Sequence, residues 1–271
     1  MKYKLFSIDL DGTLLSKTKR ISKKNISALV EYKKNGGEIV IATGRSIISA
    51  MKYVNKLNNF NLDIKYLITF NGAKIINLKD KNEINTTISH NVVAKVVNAI
   101  KEFNCAAWIY SINSTNNGSV IVTGKFFTGI FAALSKQLKL QKIKKVKDSL
   151  ESYKIFIYGY FSSTLDKITK KMEKEFSDLE IIKHGKYSLE ITNKNVTKWN
   201  ALKNVCQNYK VLENEIACIG DSNNDLECIK NCGFSFSITK KNKEIIENSD
   251  INFKKQKNAV AKAINNYLLK I

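Results

Sequence analysis

Short apolar runs and amphipathic stretches alternate along the first seventy residues. YKLFSI (3–8) reads as a strand, and SKKNISALVEYKKNGG (22–37) has helical spacing, with Ser22 as its N-cap and Gly36 or Gly37 as its stop. EIVIA (38–42) predicts a second strand, SIISAMKYVNKL (46–57) a helix and YLITF (66–70) a third strand. A β-α-β-α-β order implies a parallel sheet with helices on both faces. Ligands of such sheets bind beyond the C-terminal strand ends.

The pattern then changes. Between 82 and 186 come a helix (NVVAKVVNAIKEF), strands (AAWIYSI and SVIVTG), a basic helical stretch, a strand (YKIFIYGYF), a helix (TLDKITKKMEKEF) and a strand (LEIIKH). From 187 the simple alternation resumes with SLEI, helix TKWNALKNVCQNY, strand EIACIG, helix NDLECIK, strand FSFSI and helices around KEIIEN and NAVAKAINNYLLK. The economical reading is an α/β chain. A doubly wound core of 1–81 and 187–271 is interrupted by an inserted α+β domain, 82–186.

Composition narrows the classes. Hydrophobic residues make up 44% of the 271, enough for a sizeable core, but no apolar run approaches the roughly 20 residues that span a bilayer. The start MKYKLFSIDLDG reaches acids too early for a secretory signal. A soluble cytoplasmic protein without a membrane partner is expected. Five cysteines without CxxC spacing argue against a disulfide framework or zinc site, and Cys228 and Cys232, four apart, have no further ligands clustered nearby. Neither histidine, His90 or His184, lies in a recognisable catalytic turn.

The net charge of +21 and the absence of proline look like compositional drift across the whole chain. The basic stretches 139–147 and 254–257 lack interleaved aromatics and read as solvated lysine faces, so specific nucleic-acid binding is not expected. A positive field still favours phosphorylated metabolites.

Chemistry enters where KLFSIDLDGTLL ends a greasy strand in two carboxylates, Asp9 and Asp11. Like charges at a buried strand end must be neutralised or used. Three more stretches sit at strand ends or helix starts: ATGR (42–45), VTK (196–198) and GDSNND (220–225). Singly, each has an ordinary explanation as a turn, a helix cap or a surface charge. In this order, they form one constellation.

These motifs, together with TFNGAKI (69–75), resemble the haloacid dehalogenase superfamily, in particular its Cof-type sugar-phosphatase branch with a class IIB cap. The likeness spans nearly the whole chain and implies a Rossmann-like core, Mg²⁺ and phosphoryl transfer, without naming a substrate. It implies that Asp9 is the nucleophile that forms an aspartyl phosphate, and that Asp11 is the general acid and base. Mg²⁺ would be ligated by the Asp9 carboxylate, the Asp11 backbone carbonyl and Asp221. Leu10 and Gly12 belong to the phosphate-binding turn, which Gly12 lets bend sharply. The Thr43 hydroxyl and the Gly44 amide would hold phosphoryl oxygens. Lys198, preferred to Lys194 because it opens the helix before EIACIGD, offsets charge on Asp9. Asn224 contacts phosphate or orients the metal shell, and Asp225 steadies Lys198.

The inserted domain would then be a cap that excludes water and selects substrate. Three stretches depart from the family pattern: Trp199-Asn200, SITKKN (237–242) and KKQKNAV (254–260). The expected function is a Mg²⁺-dependent phosphomonoester hydrolase acting on small phosphorylated metabolites such as sugar phosphates or phosphorylated cofactors. A phosphomutase or phosphotransferase on the same scaffold, or a basic polyanion-binding protein with an idle fold, are the alternatives. Dehalogenation is disfavoured because Asp11 is present.

Overall fold

The computed structural model describes residues 1–116, 119–124, 139–142, 150–159, 161–184 and 186–270. They divide into two compact units: Met1–Ile84 with Thr197–Ile271, and Asn85–Val196. The second is inserted between the two segments of the first.

The first segment follows its apolar pattern closely. β1 (Leu5–Ile8) is buried at every position, as a central parallel strand requires. In α1 (Lys23–Lys34) the Ser22 hydroxyl accepts from the Asn25 N–H at 3.1 Å, and Ile26, Leu29 and Tyr32 form the buried stripe. β2 (Glu38–Ala42), α2 (Ile47–Asn58) and β3 (Tyr66–Thr69) complete the expected order. The chain then turns back through Phe70, Asn71 and Gly72 into β4 (Lys74–Asn77), antiparallel to β3, and reaches the edge strand β5 (Glu83–Asn85). The alternation pattern did not signal this reversal, because TFNGAKI reads as apolar on both sides of its turn.

The second unit contains α3 (His90–Ala99), β6 (Cys105–Ser111), α4 (Ile112–Asn116), β7 (Ser119–Gly124), β8 (Lys139–Lys142), β9 (Ser152–Gly159), α5 (Ser162–Glu175), β10 (Leu179–His184) and β11 (Ser188–Asn193). Its sheet has the order β10-β11-β9-β6-β7-β8, antiparallel except between β7 and β8. Helices α3 and α5 bury Val93, Val96, Leu165 and Ile168 with Ala107, Ile109, Ile155, Ile157, Leu189 and Ile191.

Two expectations shift here. Within the basic stretch, read as helical, Lys139–Lys142 is strand β8, and 143–147 lie outside the described residues. SLEI, expected in the core from 187 onward, is β11, and the unit boundary falls after Val196. Leu189 and Ile191 pair with Ile157 and Ile155 of β9. An alternating strand is compatible with either sheet, and only its partners decide.

α6 (Lys198–Tyr209), capped by the Thr197 hydroxyl, returns the chain to the first unit. β12 (Ile216–Gly220), α7 (Leu226–Asn231), β13 (Phe234–Ser237), α8 (Lys243–Asn248), β14 (Ile251–Asn252) and α9 (Ala259–Ala263) follow, with α9 continuing as a π-helical turn, Ile264–Leu268. The strand order is β14-β13-β12-β1-β2-β3-β4-β5, parallel from β14 to β3. Leu29, Val54, Ala261 and Ile264 pack on one face, and Leu202, Val205 and Cys228 pack on the other. From β1 the chain runs outward to β2 and β3 on one side and later to β12 and β13 on the other. The C-terminal ends of β12, β1 and β2 therefore stand at a topological switch point.

Among the described residues no helix is long and apolar enough to cross a membrane, and the five cysteines are free.

The Ser22 hydroxyl caps α1 and also donates to Asn258 Oδ1 at 2.8 Å, fastening the start of α9. Ser22→Ala should cost about 1 kcal/mol, as N-cap deletions do, in urea denaturation followed by circular dichroism. A loss near zero would mean that water replaces both contacts.

Candidate active site

Asp9 directly follows β1, and its N–H donates to the Ile219 carbonyl of β12 at 3.1 Å. The carboxylate is 6% exposed. Lys198, the first residue of α6, brings its Nζ to 2.7 Å from Asp9 Oδ1 and 2.7 Å from Asp225 Oδ1. A cation in the first turn opposes the helix dipole, so the lysine is held there by the two carboxylates and not by its helix. Asp225 Oδ2 accepts from the backbone N–H groups of Asp221 at 3.0 Å and Ser222 at 3.2 Å. Both oxygens of Asp225 are thus committed to the protein.

Carboxylate oxygens of Asp9, Asp221 and Asp225 lie within 4.8 Å of one another. Three carboxylates against one ammonium leave a formal charge of −2. Burial, reinforced by Asp225 and Asp221 and opposed by Lys198, pushes the Asp9 carboxyl up to about 7. Burial and Asp225 push Asp221 up to about 6, against the pull of Lys198. For Lys198 burial acts downward, but Asp225 and Asp9 outweigh it and the ammonium is held above its ordinary range. A hard all-oxygen donor set short of two positive charges fits a divalent cation such as Mg²⁺. Gly12 makes the cluster possible: its φ is +79°, and a Cβ there would lie 2.0 Å from Asp221 Oδ2.

Asp11 faces a different set of charges. Arg45 grips it with two hydrogen bonds, Nε to Oδ2 at 2.5 Å and Nη2 to Oδ1 at 2.7 Å, and Lys19 adds a third at 2.5 Å. Burial acts to raise this carboxyl, but the hydrogen bonds from Arg45 and Lys19 prevail and hold it at about 2. Arg45 is itself braced by Ser49 Oγ at 2.8 Å and by the Tyr53 ring, 5.0 Å from its guanidinium.

Beyond β2, Thr43 is buried, and its Oγ1 accepts from the Arg45 N–H at 3.2 Å. Gly44 passes so close to Asn71 that a Cβ would stand 2.7 Å from Asn71 Oδ1. Asn224 donates to that same oxygen at 2.9 Å and accepts from Ser222 Oγ at 2.7 Å. The Leu10 side chain is fully buried in the core, so only its backbone can serve a ligand.

Of the residues singled out in the sequence, Asp9, Lys198, Asp221 and Asp225 form one charge cluster, and Gly12 packs on it. Asn71 links Gly44 and Asn224, while Asp11 is occupied by a separate set of cations. Arg45, Lys19 and Asn71 complete these contacts without a role that the motifs alone assign. Arg45 lies inside the quoted ATGR, and Asn71 carries the Asn-Gly signature of a left-handed turn. Nothing in the sequence marks Lys19, which comes back to Asp11 from a short loop in which the Ser16 N–H donates to the Arg20 carbonyl.

Residues 6–264 match the family model described as haloacid dehalogenase-like hydrolase. The chain is 24% identical over 254 residues to the phosphatase YwpJ of Bacillus subtilis, covering 85% of this chain and 87% of that one. It is 24% identical over 274 residues to the Bacillus subtilis 5-amino-6-(5-phospho-D-ribitylamino)uracil phosphatase YcsE, covering 98% and 96%. Its fold matches the solved structure of the HAD subclass IIB sugar phosphatase BT4131 with a TM-score of 0.77 at 17% identity, covering 98% of this chain and 99% of that one.

The raised carboxyls of Asp9 and Asp221 have a stability consequence. Unfolded carboxyls titrate near 4, so between about pH 4 and pH 7 the metal-free folded chain binds more protons than the unfolded one, and these two groups make stability fall as pH rises. A divalent cation offsets the same charge without protons. Millimolar Mg²⁺ should therefore raise Tm more at about pH 7.5 than at about pH 5.5, and Asp9→Asn should flatten the metal-free slope. Thermal denaturation at both pH values checks this; equal Mg²⁺ shifts would contradict it.

Proposed function

This chain belongs to the haloacid dehalogenase-like hydrolases and is a phosphatase, and we propose that it hydrolyses phosphomonoesters of small phosphorylated metabolites through an aspartyl phosphate on Asp9. One observation carries the reading. Asp9 Oδ1 is fixed by Lys198, while among the described residues no protein donor reaches Oδ2, at a strand end where the local charge is short by two. That is an oriented nucleophile in an anion-repelling site, and it becomes useful once a cation is present.

Mg²⁺ held by the Asp9 and Asp221 carboxylates and the Asp11 carbonyl would supply the missing positive charge. The protein does the rest by position. Oδ2 of Asp9 attacks phosphorus, and Lys198 offsets charge on the nucleophile and on the transferring group. The Thr43 hydroxyl, the backbone of Leu10 and Gly12, the Gly44 amide and Asn224 orient the phosphoryl oxygens. Asp225 keeps Lys198 in place through its ion pair and two backbone hydrogen bonds.

Asp11 is the acid and base. Its grip by Arg45 and Lys19 favours the carboxylate, the form that takes a proton from water when the aspartyl phosphate is hydrolysed. Protonating a leaving alkoxide requires the carboxyl form, so substrate entry has to loosen that grip first.

The inserted unit, 85–196, acts as the cap that selects substrate. The net charge of +21 favours anionic ligands, and the free cysteines support work in the reducing cytoplasm. A relative that dephosphorylates a phosphoribitylamino compound and a structural neighbour that is a sugar phosphatase make phosphorylated sugars and polyols the first substrates to screen.

Phosphate release from such a panel should vanish with EDTA and return with Mg²⁺. Asp9→Asn should lower turnover by at least about 10³-fold with an unchanged circular-dichroism spectrum; substantial residual turnover would point to direct attack by water.

Asp11→Asn should separate leaving groups. Nitrophenolate departs without a proton, so nitrophenyl phosphate should give a burst near one equivalent per enzyme and then slow turnover, while sugar phosphates lose about 10² to 10⁴-fold with no burst. Rapid quench on both substrates decides; equal losses without a phosphoenzyme would remove Asp11 from this role.

A further inference from the structure

Phe70, Asn71 and Gly72 carry φ angles of +51°, +59° and +109°, three consecutive left-handed residues, two of them not glycine. Such a run persists only where its surroundings hold it. Here the Phe70 N–H donates to the Arg45 carbonyl at 3.0 Å, and the Asn71 N–H donates to the Thr43 carbonyl at 3.1 Å. On the other side a Cβ on Gly72 would lie 2.2 Å from the Thr197 carbonyl, just before Lys198. The turn is therefore pinned between the segment after β2 and the start of α6.

The pinning carries the Asn71 side chain across Gly44. A Cβ on Gly44 would be 2.7 Å from Asn71 Oδ1 and 3.5 Å from Nδ2. Oδ1 accepts from Asn224 at 2.9 Å, which leaves the amide nitrogen as the group to be accounted for. Among the described residues nothing accepts from it. Asn71 is half-buried, and its amide nitrogen stands 3.5 Å from where a Gly44 Cβ would lie.

We propose that Asn71 is a further phosphoryl-binding residue, whose side-chain N–H donates to an oxygen of the transferring group beside Thr43 and Gly44 while its Oδ1 holds Asn224 in place. The inference rests on the phosphatase reading of this site. It explains why the strained turn is kept at an asparagine. Glycine would relieve the backbone, but it would remove both contacts.

Two substitutions test it. Asn71→Gly suits the left-handed backbone and deletes the side chain. Asn71→Asp also tolerates that backbone and keeps an oxygen for Asn224, but it has no N–H. Both should keep the wild-type Tm while kcat falls about 10²-fold, the usual loss for one preorganised donor. Both should also weaken inorganic phosphate, measured by calorimetry with Mg²⁺ present, by about tenfold or more.

A loss in Gly with wild-type behaviour in Asp would mean that Asn71 only holds Asn224, and a loss in Asp alone would mean only that added charge repels phosphate; either result overturns the proposal. Wild-type protein that turns over no substrate but binds phosphate, with binding lost in both variants, would sink the phosphatase reading and leave Asn71 standing. Wild-type protein that binds no phosphate would remove both.

Discussion

The Lys198 ammonium between Asp9 and Asp225 is the contact on which the candidate site depends. It joins residues 189 and 27 positions away in sequence, and so ties the end of β1, the start of α6 and the loop after β12. Both partners are almost fully buried, as is the lysine. Removing the lysine would strand buried carboxylates without their counter-charge, which is far costlier than losing a surface pair. Placing the lysine at a helix start, against the dipole, makes sense only with both carboxylates in position.

Around this pair the chain concentrates negative charge in a molecule whose net charge is +21. Three carboxylates crowd one ammonium, and burial lifts Asp9 and Asp221 well above ordinary carboxyls. Backbone is pressed against these groups where glycine leaves space: Gly12 against Asp221, and Gly220 against Asp225, whose Cγ would be 2.2 Å from an added Cβ. The cluster's excess negative charge is unfavourable for the fold by itself and is the kind that a divalent cation would offset, the usual opposition between stability and function at a site.

Asp9 and Asp11, two residues apart, live in opposite environments. One is buried beside other carboxylates and raised, and the other is half-exposed, held by Arg45 and Lys19 and lowered. Divergent environments for neighbouring carboxyls are how a site assigns them different jobs. Neighbourhood, and not residue type, makes the difference.

Much of this was legible in the sequence. β1, α1, β2, α2 and β3 follow from periodicity and caps because each is encoded within a few residues, and the four motif stretches mark the strand ends where Asp9, Thr43 and Asp221 stand and the helix start that carries Lys198. What local pattern could not carry was partnership. Ser188–Asn193 alternates as a strand in either sheet, and only β9 and β10 assign it. The reversal into β4, the grip of Arg45 and Lys19 on Asp11, and the bridge of Asn71 between Gly44 and Asn224 are likewise contacts between segments. The sequence by itself determined which chemical groups the chain carries and which strand ends they follow, because those are properties of short stretches. Tertiary structure alone decided which groups face each other, and therefore which carboxyl is raised and which is lowered, because electrostatic energy depends on distance and burial in space and not on separation along the chain.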